Sequence, residues 1–139
     1  MKVVAPAKVN LHLEILGKRP DGYHEIRTLM RRVDLCDEME ISLEGEGVDL
    51  EAEGGGIPTG RENLACRAAQ IFLEELGSQK GVRIWLRKKI PVAAGLGGGS
   101  SDAASVIMGL NHLLGTDWGD DRLMAMGAKI GACAVFYLS

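Results

Sequence analysis

The chain has 139 residues, of which 46% are hydrophobic and 25% are charged, a balance typical of a globular domain. This length favours one domain with a hydrophobic core of its own. The net charge of −3 gives no overall electrostatic reason to expect nucleic acid or an anionic membrane as a partner.

The spacing of the cysteines and the lengths of the hydrophobic runs indicate the cellular compartment of the protein. Cys36, Cys66 and Cys133 stand far apart and show no metal-ligand spacing. A sparse, odd number of cysteines is typical of a reducing compartment. No apolar run reaches the length of a membrane span, and no signal peptide precedes the first strand pattern. We therefore expect a cytoplasmic protein without a membrane partner.

The first third of the chain predicts strands. Hydrophobic and polar residues alternate from Val9 to Ile15, which indicates a strand with one buried face. Residues 17–22, Gly-Lys-Arg-Pro-Asp-Gly, predict a turn. A second alternation covers residues 39–43, and residues 48–50 predict a short strand before three consecutive glycines.

Helical periodicity begins near Asn63. Hydrophobic residues from Leu64 to Leu76 fall on one helical face, Asn63 is a suitable N-cap, and Gly77 suits the residue after the helix. A strand pattern covers residues 82–88. The sequence then predicts a helix that begins at Ser100 or Ser101 and ends near residue 114, and a last helix over residues 123–130. This order of elements indicates an α+β fold.

A glycine-rich stretch at residues 91–104 lies between a strand pattern and a helix pattern and reads Pro-Val-Ala-Ala-Gly-Leu-Gly-Gly-Gly-Ser-Ser-Asp-Ala-Ala. Glycines let backbone N–H groups approach a phosphate closely, and a helix start adds free N–H groups and the positive end of its dipole. The stretch lacks the Gly-Lys-Ser/Thr ending of a P-loop and does not match a dinucleotide fingerprint. It predicts phosphate binding, and the alternative is a structural glycine turn.

Two further groups of polar residues could carry chemistry. Lys8, Asn10 and His12 share the polar face of the first predicted strand, where a lysine beside an amide could position a hydroxyl and stabilise a phosphoryl group in transfer. The alternative is a solvated sheet face. Tyr23 and His24 follow a Pro-Asp-Gly turn, where Tyr can stack on a base and His can hydrogen-bond its edge. The alternative for this pair is an ordinary structural role.

Three stretches occur together and in order: Pro-Ala-Lys-Val-Asn-Leu at residues 6–11, Lys-Arg-Pro-Asp-Gly-Tyr-His-Glu at residues 18–25, and the glycine-rich stretch. In this combination the chain resembles the 4-diphosphocytidyl-2-C-methyl-D-erythritol kinase family. The glycine-rich stretch alone indicates only the wider GHMP kinase superfamily, whereas the string Arg-Pro-Asp-Gly-Tyr-His is much more specific. The resemblance runs from about residue 4 to the end.

The resemblance implies a fold and a reaction. The fold is the GHMP kinase amino-terminal domain, which is like the second domain of ribosomal protein S5 and has a mixed sheet with helices packed on it. Residues 1–139 would form this ATP-binding domain, and the family's carboxy-terminal domain is absent from the chain. The implied reaction transfers the γ-phosphoryl group of ATP, with Mg²⁺, to the 2-hydroxyl of 4-diphosphocytidyl-2-C-methyl-D-erythritol, in the non-mevalonate route to isoprenoids.

The resemblance also implies residue roles, although it assigns no metal ligand. Lys8 matches the family's catalytic lysine, and Asn10 matches its neighbour at the substrate hydroxyl. Tyr23 and His24 match the residues that bind the cytosine. The residues that match the ATP site are Asn63, Leu64 and Lys88 at the adenosine end, and Pro91, Val92, Ala93, Ala94, Gly95, Leu96, Gly97, Gly98, Gly99, Ser100 and Ser101 around the phosphates.

The chain departs from the family pattern in two ways. Residues 131–136 read Gly-Ala-Cys-Ala-Val-Phe where the family has Gly-Ala-Asp-Val-Pro-Phe, so Cys133 stands in place of a second catalytic residue. Family members are also about twice as long. These departures leave two alternatives to an active kinase: a catalytically silent nucleotide-binding fragment, or a scaffold domain that kept only the fold. They also predict self-association through the surface that the absent domain would cover.

Overall fold

The structure is a computed structural model that describes residues 1–18, 24–54, 57, 59–60, 62–91 and 97–138. Within these ranges, the side chains of residues 9–18, 24–30 and 132 are not described. Four strands and four helices follow one another in chain order: β1 (Lys2–Lys18), β2 (His24–Ser42), β3 (Val48–Glu53), α1 (Leu64–Leu76), β4 (Val82–Arg87), α2 (Gly98–Leu113), α3 (Asp120–Ala128) and α4 (Ala132–Leu138).

The four strands form one mixed sheet in the order β1-β2-β4-β3. β1 and β2 pair antiparallel along their whole length, from Lys2 opposite Glu40 to Lys18 opposite His24. β2 also pairs antiparallel with β4, whereas β3 and β4 are parallel and are joined through α1. The predicted α+β class, with a mixed sheet and helices packed on it, is confirmed.

The core lies between one face of this sheet and the helices. Alternate residues of β4 (Val82, Ile84 and Leu86) are buried, which confirms the predicted strand and its inward face. α2 packs on β1 and β2, α1 packs on β3, and the two helices pack on each other. Ala103 and Ala104 of α2 are fully buried, as expected for small residues that let a helix lie close to its neighbours.

The opposite face of the sheet is polar. Arg83 and Arg87 on β4 are about half exposed and form ion pairs with glutamates of the neighbouring strands and of the segment after β2. Such exposed ion pairs contribute little to stability but keep this face compatible with water. Among the described residues, no helix is long and apolar enough to cross a membrane.

The structure corrects several predictions about the elements. β1 covers Lys2–Lys18 and α3 covers Asp120–Ala128, where residues 9–15 and 123–130 were predicted. β2 extends back to His24, whereas only residues 39–43 were predicted as a strand, because the charged residues before position 39 obscure the alternation. α4 was not predicted at all. α2 begins at Gly98 and has Gly97 as its N-cap, not Ser100 or Ser101, because the left-handed backbone of Gly97 already starts the helix. Most of the predicted turn at residues 17–22 lies outside the described residues.

Candidate functional site

The start of α2 is preceded by Gly97 and is partly exposed, with Gly98 buried and Gly99 exposed. Gly97 has φ 68° and ψ 24°, and no side chain caps the helix. The first N–H groups of a helix have no partner within the helix, and they lie at the positive end of its dipole. No acidic residue occupies the first turn. These features suit an anion such as a phosphate group.

Lys8 of β1 lies against this helix start. An ideal Cβ on Gly97 would be 3.1 Å from Cγ and Cε of Lys8 and 3.1 Å from the hydroxyl oxygen of Tyr137 on α4. Only a glycine fits this space, and the Lys8 side chain is 5% exposed. The fold therefore brings the predicted catalytic lysine and the predicted phosphate stretch, which are far apart in sequence, into direct contact.

The start of α1 reaches the same place. Asn63 caps α1 by accepting a hydrogen bond from the Ala65 N–H at 2.9 Å, which confirms the predicted N-cap. Leu64 packs on the first turn of α2, since its Cδ1 would lie 3.4 Å from a Cβ on Gly99. The start of α1 thus packs on the first turn of α2, and the predicted role of Asn63 and Leu64 at the adenosine end stays a prediction.

Lys88 is part of a buried charge cluster, which we define as Asp37, Lys88 and Asp102. The Lys88 ammonium donates to Asp37 Oδ2 at 2.7 Å and to Asp102 Oδ2 at 2.9 Å. The three side chains are 9%, 0% and 3% exposed for Lys88, Asp37 and Asp102 respectively. The cluster joins β2, the residue after β4 and the early part of α2. Both ion pairs engage the ammonium group of Lys88. The predicted contact between Lys88 and adenosine stays a prediction.

The two carboxyl groups of the cluster have opposite pKa shifts. Burial raises the pKa of Asp102 to about 8, and its hydrogen bond with Asp37 acts in the same direction. Burial also acts to raise the pKa of Asp37, but hydrogen bonds from Asp102, Lys88 and two backbone amides together lower it. Burial opposes the charge on Lys88, yet the two carboxyl groups raise its pKa above the usual value. At neutral pH the cluster therefore holds an ionised Asp37, a charged Lys88 and a protonated Asp102.

α4 closes the site on the side of Lys8. Tyr137 is 3% exposed, and burial together with the nearby Cys133 thiol raises its pKa to about 12, against the effect of the Arg32 charge. Arg32 of β2 donates to the backbone oxygen of Tyr137 at 2.9 Å and lies over the Tyr137 ring. Cys133 is one helical turn before Tyr137, so the two side chains share a face of α4.

The predicted hydroxyl ligands differ in exposure. Ser101 is fully buried, whereas Ser100 is partly exposed in the first turn of α2. No group of three His, Cys, Asp or Glu side chains that could hold a metal ion occurs among the described residues.

Several predicted site residues cannot be located. Tyr23 and the five residues Val92, Ala93, Ala94, Gly95 and Leu96 lie outside the described residues. Asn10 and His24 lie on β1 and β2, with backbone partners Met30 and Lys18 respectively, but their side chains are not described. Pro91 is exposed and directly follows the buried Ile90. The roles of all these residues stay predictions.

Sequence reasoning missed four residues of the site: Asp37, Asp102, Arg32 and Tyr137. Asp102 stood inside the glycine-rich motif, and an acidic residue at the start of a predicted buried helix was a usable signal. Asp37, Arg32 and Tyr137 gave no comparable local signal, since each depends on pairing with a distant element.

Comparisons with known proteins identify the family to which the chain is similar. The family model described as GHMP kinases N terminal domain matches residues 63–137. A 4-diphosphocytidyl-2-C-methyl-D-erythritol kinase from Geobacter sp. (strain M21) is 53% identical over 139 residues, which cover 99% of this chain and 50% of the relative. The chain thus spans about half the length of the curated relatives that it matches.

Solved structures show the same relationship. A crystal structure of 4-(cytidine 5'-diphospho)-2C-methyl-D-erythritol kinase superposes with a TM-score of 0.87 at 44% identity, covering 99% of this chain and 48% of that one. A homoserine kinase from Cytophaga hutchinsonii superposes with a TM-score of 0.71 at 25% identity, covering 96% of this chain and 41% of that one.

Proposed function

The chain belongs to the GHMP kinases through the amino-terminal domain that residues 63–137 match, and from this premise we propose that it is the ATP-binding half of a small-molecule kinase. The observation that carries the proposal is the contact of Lys8 with Gly97 at the uncapped start of α2. A phosphate at this helix start would lie beside a lysine side chain, as phosphoryl transfer requires.

We propose 4-diphosphocytidyl-2-C-methyl-D-erythritol as the acceptor, phosphorylated on its 2-hydroxyl in the non-mevalonate pathway. The names of the relatives at about half identity and of the structure at 44% identity support this substrate. In the proposal, Lys8 stabilises charge on the transferring group, Asn10 holds the hydroxyl, and Tyr23 and His24 bind the cytosine. Binding of ATP in a reducing cytoplasm fits the free thiols of the three cysteines.

Magnesium belongs to the proposed reaction as a partner of the phosphates. Mg²⁺ usually keeps several waters and binds substrate phosphates with only one or two protein carboxylates. The described residues offer the partly exposed Ser100 hydroxyl near the helix start and no free carboxylate cluster. This donor set fits a metal ion that is held mainly by the nucleotide, and when bound it would neutralise charge on the phosphates.

A second candidate function is nucleotide binding without turnover. Cys133 favours it, because the family pattern places an aspartate there and Cys133 shares a face of α4 with Tyr137, which contacts the Lys8–Gly97 site. A thiol has a usual pKa near 8.5 and carries no fixed negative charge at neutral pH. Both candidates require ATP to bind, and they differ only in catalysis.

Calorimetric titration with ATP tests the part that the two candidates share. We expect saturable binding, and we expect Lys8→Met to weaken it about tenfold, since one charge-assisted hydrogen bond contributes about 1.5 kcal/mol. Lys80→Met is the matched control, because Lys80 is exposed in the connection before β4. Equal losses in both variants, or no binding by the unmodified chain, would contradict the proposal.

Titration with a cytidine 5'-diphosphate derivative tests the acceptor. Tyr23→Ala should weaken this ligand by about 1–3 kcal/mol, the usual range for stacking of a base on an aromatic ring, and should leave ATP affinity unchanged. The predicted self-association can be tested by sedimentation of the same sample. Val4 and Met108, which are 65% and 42% exposed beside a groove, are the apolar residues to substitute if a dimer forms.

A further inference from the structure

The buried charge cluster holds one proton more than its ion pairs require. The carboxyl groups of Asp37 and Asp102 are both buried, and both accept from the one ammonium group of Lys88, at 2.7 Å and 2.9 Å. Two ionised carboxylates in one buried site repel each other, so one of the pair keeps its proton. The cluster therefore contains a proton on one of its two acids as well as the charge of Lys88.

The hydrogen-bond donors decide which acid holds that proton. Asp37 Oδ1 accepts from the backbone N–H groups of Lys89 at 2.7 Å and Ile90 at 2.8 Å, and Asp37 Oδ2 accepts from Lys88. Asp102 accepts from Lys88 alone, and its Oδ1 has no donor within the described part of the chain. Because more donors stabilise the anionic form, Asp37 is ionised and Asp102 carries the proton. The cluster is then neutral as a whole.

The cluster lies directly beneath the candidate phosphate site. An ideal Cβ on Gly98, the first residue of α2, would be 2.9 Å from the Lys88 ammonium nitrogen. Asp102 is about one turn further along the same helix. Loss of its proton would leave a net negative charge under a helix start that is otherwise suited to an anion. It would also leave two ionised carboxylates on the one ammonium of Lys88, and their repulsion would displace Asp102 and the helix start with it.

We propose that Asp102, acting through Lys88 and Asp37, is a positioning residue whose proton must be in place for nucleotide phosphates to bind at the start of α2. This inference rests on the proposed function, since it takes ATP as the ligand. In this proposal, Lys88 holds the start of α2 in place through its ion pairs with Asp37 and Asp102. The titratable groups that act on Asp102 are Asp37 of β2, Lys88 after β4 and Tyr137 of α4, and Lys8 of β1 lies beside Gly97.

Asp102→Asn separates the proton from the shape of the side chain. The asparagine oxygen can still accept from Lys88, and its NH₂ group can donate to Asp37 where the acid would donate its proton. The variant thus copies the protonated cluster at every pH. Its matched control is Asp49→Asn, which removes a carboxylate from β3, distant in the sheet order from β1 and β2.

The experiment is calorimetric titration with ATP and with adenosine between pH 7 and pH 9.5, which lies below the pKa of Tyr137 at about 12. Thiols, and near pH 7 the last phosphate proton of ATP, also titrate in this range, but they do so in all the proteins compared. In the unmodified chain, we expect the ATP dissociation constant to rise about tenfold from pH 7 to pH 9, because affinity falls with the protonated fraction. The midpoint should lie near pH 8, the value for Asp102. Asp102→Asn should show no such rise, whereas Asp49→Asn should show it unchanged. Adenosine affinity should not depend on pH in any of the three proteins.

A second measurement does not depend on the folding of any variant. Titrations of the unmodified chain at pH 8.5 in two buffers of different ionisation enthalpy should show net proton uptake when ATP binds and none when adenosine binds. Absence of uptake, or the same pH dependence in Asp102→Asn, would overturn the inference while leaving ATP binding intact. Absence of ATP binding at every pH would instead overturn the proposed function, and this inference with it.

Discussion

Asp37 and Asp102 share one ammonium group but differ in their backbone partners. Asp37 Oδ1 accepts from two backbone amides that follow β4, and Asp37 Oδ2 accepts from Lys88. All the groups around Asp37 are donors, so both of its oxygens must be acceptors. Asp102 needs one acceptor toward Lys88 and one donor toward Asp37. At the scale of single residues, the two acids are therefore not interchangeable.

This difference predicts opposite outcomes for the same substitution at the two positions. Asp37→Asn should lower the free energy of unfolding by about 3 kcal/mol or more, because its NH₂ group would face donors inside the core. Asp102→Asn should raise it at neutral pH, because an amide fits both of its neighbours and folding no longer takes up a proton that the unfolded acid has released. Urea unfolding of both variants at pH 7 measures the difference. Similar losses in the two variants would show that the assignment of the proton is wrong.

The raised pKa of Asp102 also predicts how stability depends on pH. The pKa of Asp102 is usually 3.8, but it is about 8 in the folded chain. Between pH 3.8 and pH 8, the folded state therefore holds a proton that the unfolded state has released. Stability from Asp102 is complete below about pH 4, falls as the pH rises toward 8, and falls no further above that. The lowered pKa of Asp37 has the opposite sign, since its contribution is lost only as the pH falls below 3.8.

Thermal unfolding at pH 5, 6.5 and 8 checks this expectation. The melting temperature of the unmodified chain should decrease over this series by more than that of Asp102→Asn, which has no carboxyl group to titrate. The Asp49→Asn control should follow the unmodified chain. Parallel curves for all three proteins would mean that Asp102 is already ionised in the folded state at pH 5.

At the scale of elements, the start of α2 depends on the close approach of its neighbours. Gly97 is required by Lys8 and Tyr137 on one side, and Gly98 by Ile90 and Lys88 on the other, with Cβ distances of 2.9 Å to both Ile90 Cγ2 and the Lys88 nitrogen. Gly99 differs, because a Cβ there would meet only Leu64 at an ordinary contact distance of 3.4 Å. Three consecutive glycines thus include two that the packing requires and one that it tolerates.

Gly98→Ala and Gly99→Ala form a matched pair on this helix start. Gly98→Ala should weaken ATP binding and lower stability, because the new methyl group would push Lys88 away from its two carboxyl partners. Gly99→Ala should be neutral or stabilising by up to about 1 kcal/mol, since alanine favours helix more than glycine does. Calorimetry and thermal unfolding measure both effects. A greater loss of ATP affinity from Gly99→Ala would contradict the assignment of the close contact to Gly98.

At the scale of the whole molecule, the site forms where six elements meet, and β2 contributes Asp37 and Arg32. β1 brings Lys8, the end of β4 brings Lys88, α1 and α2 bring their starts, and α4 brings Tyr137. Arg32 of β2 ties α4 to the sheet through the backbone oxygen of Tyr137. None of these contacts is local in sequence, so a shift in the position of any one element would move part of the site.

Turnover is the prediction that belongs to this scale. Residues 1–139 assayed alone should bind ATP but transfer no measurable phosphoryl group, because Cys133 supplies no carboxylate and the chain spans half the length of its relatives. Cys133→Asp alone should not restore activity. In a fusion with the carboxyl-terminal half of the Geobacter relative, Cys133→Asp should raise kcat at least about a hundredfold, the lower range for a general acid–base group.

Lys8→Met in the same fusion is the negative control, because it removes the proposed catalytic ammonium. Activity of residues 1–139 alone above a Lys8→Met background would show that neither Cys133 nor the half-length chain prevents catalysis. An unchanged rate for Cys133→Asp in the fusion would instead show that residue 133 takes no part in catalysis.

Local sequence patterns were sufficient for the elements with strong periodicity. The alternation of Val82, Ile84 and Leu86 predicted β4, and the 3.6-residue period with Asn63 and Gly77 at its ends predicted α1 to within one residue. Residues 24–38 of β2 and all of α4 were missed. β2 carries charged residues that interrupt its alternation, and it is held by backbone pairing along β1, which no local pattern records.

The sequence by itself determined the α+β class, the family and the glycine-rich helix start, because these depend on residue types at short, regular spacings. Only the tertiary structure decided that Lys88 lies buried between Asp37 and Asp102, and that Tyr137 and Lys8 meet at Gly97. The physical reason is that burial and pairing of charges depend on contacts between residues 14 to 51 positions apart. Such contacts set protonation states, and no spacing along the chain reveals them.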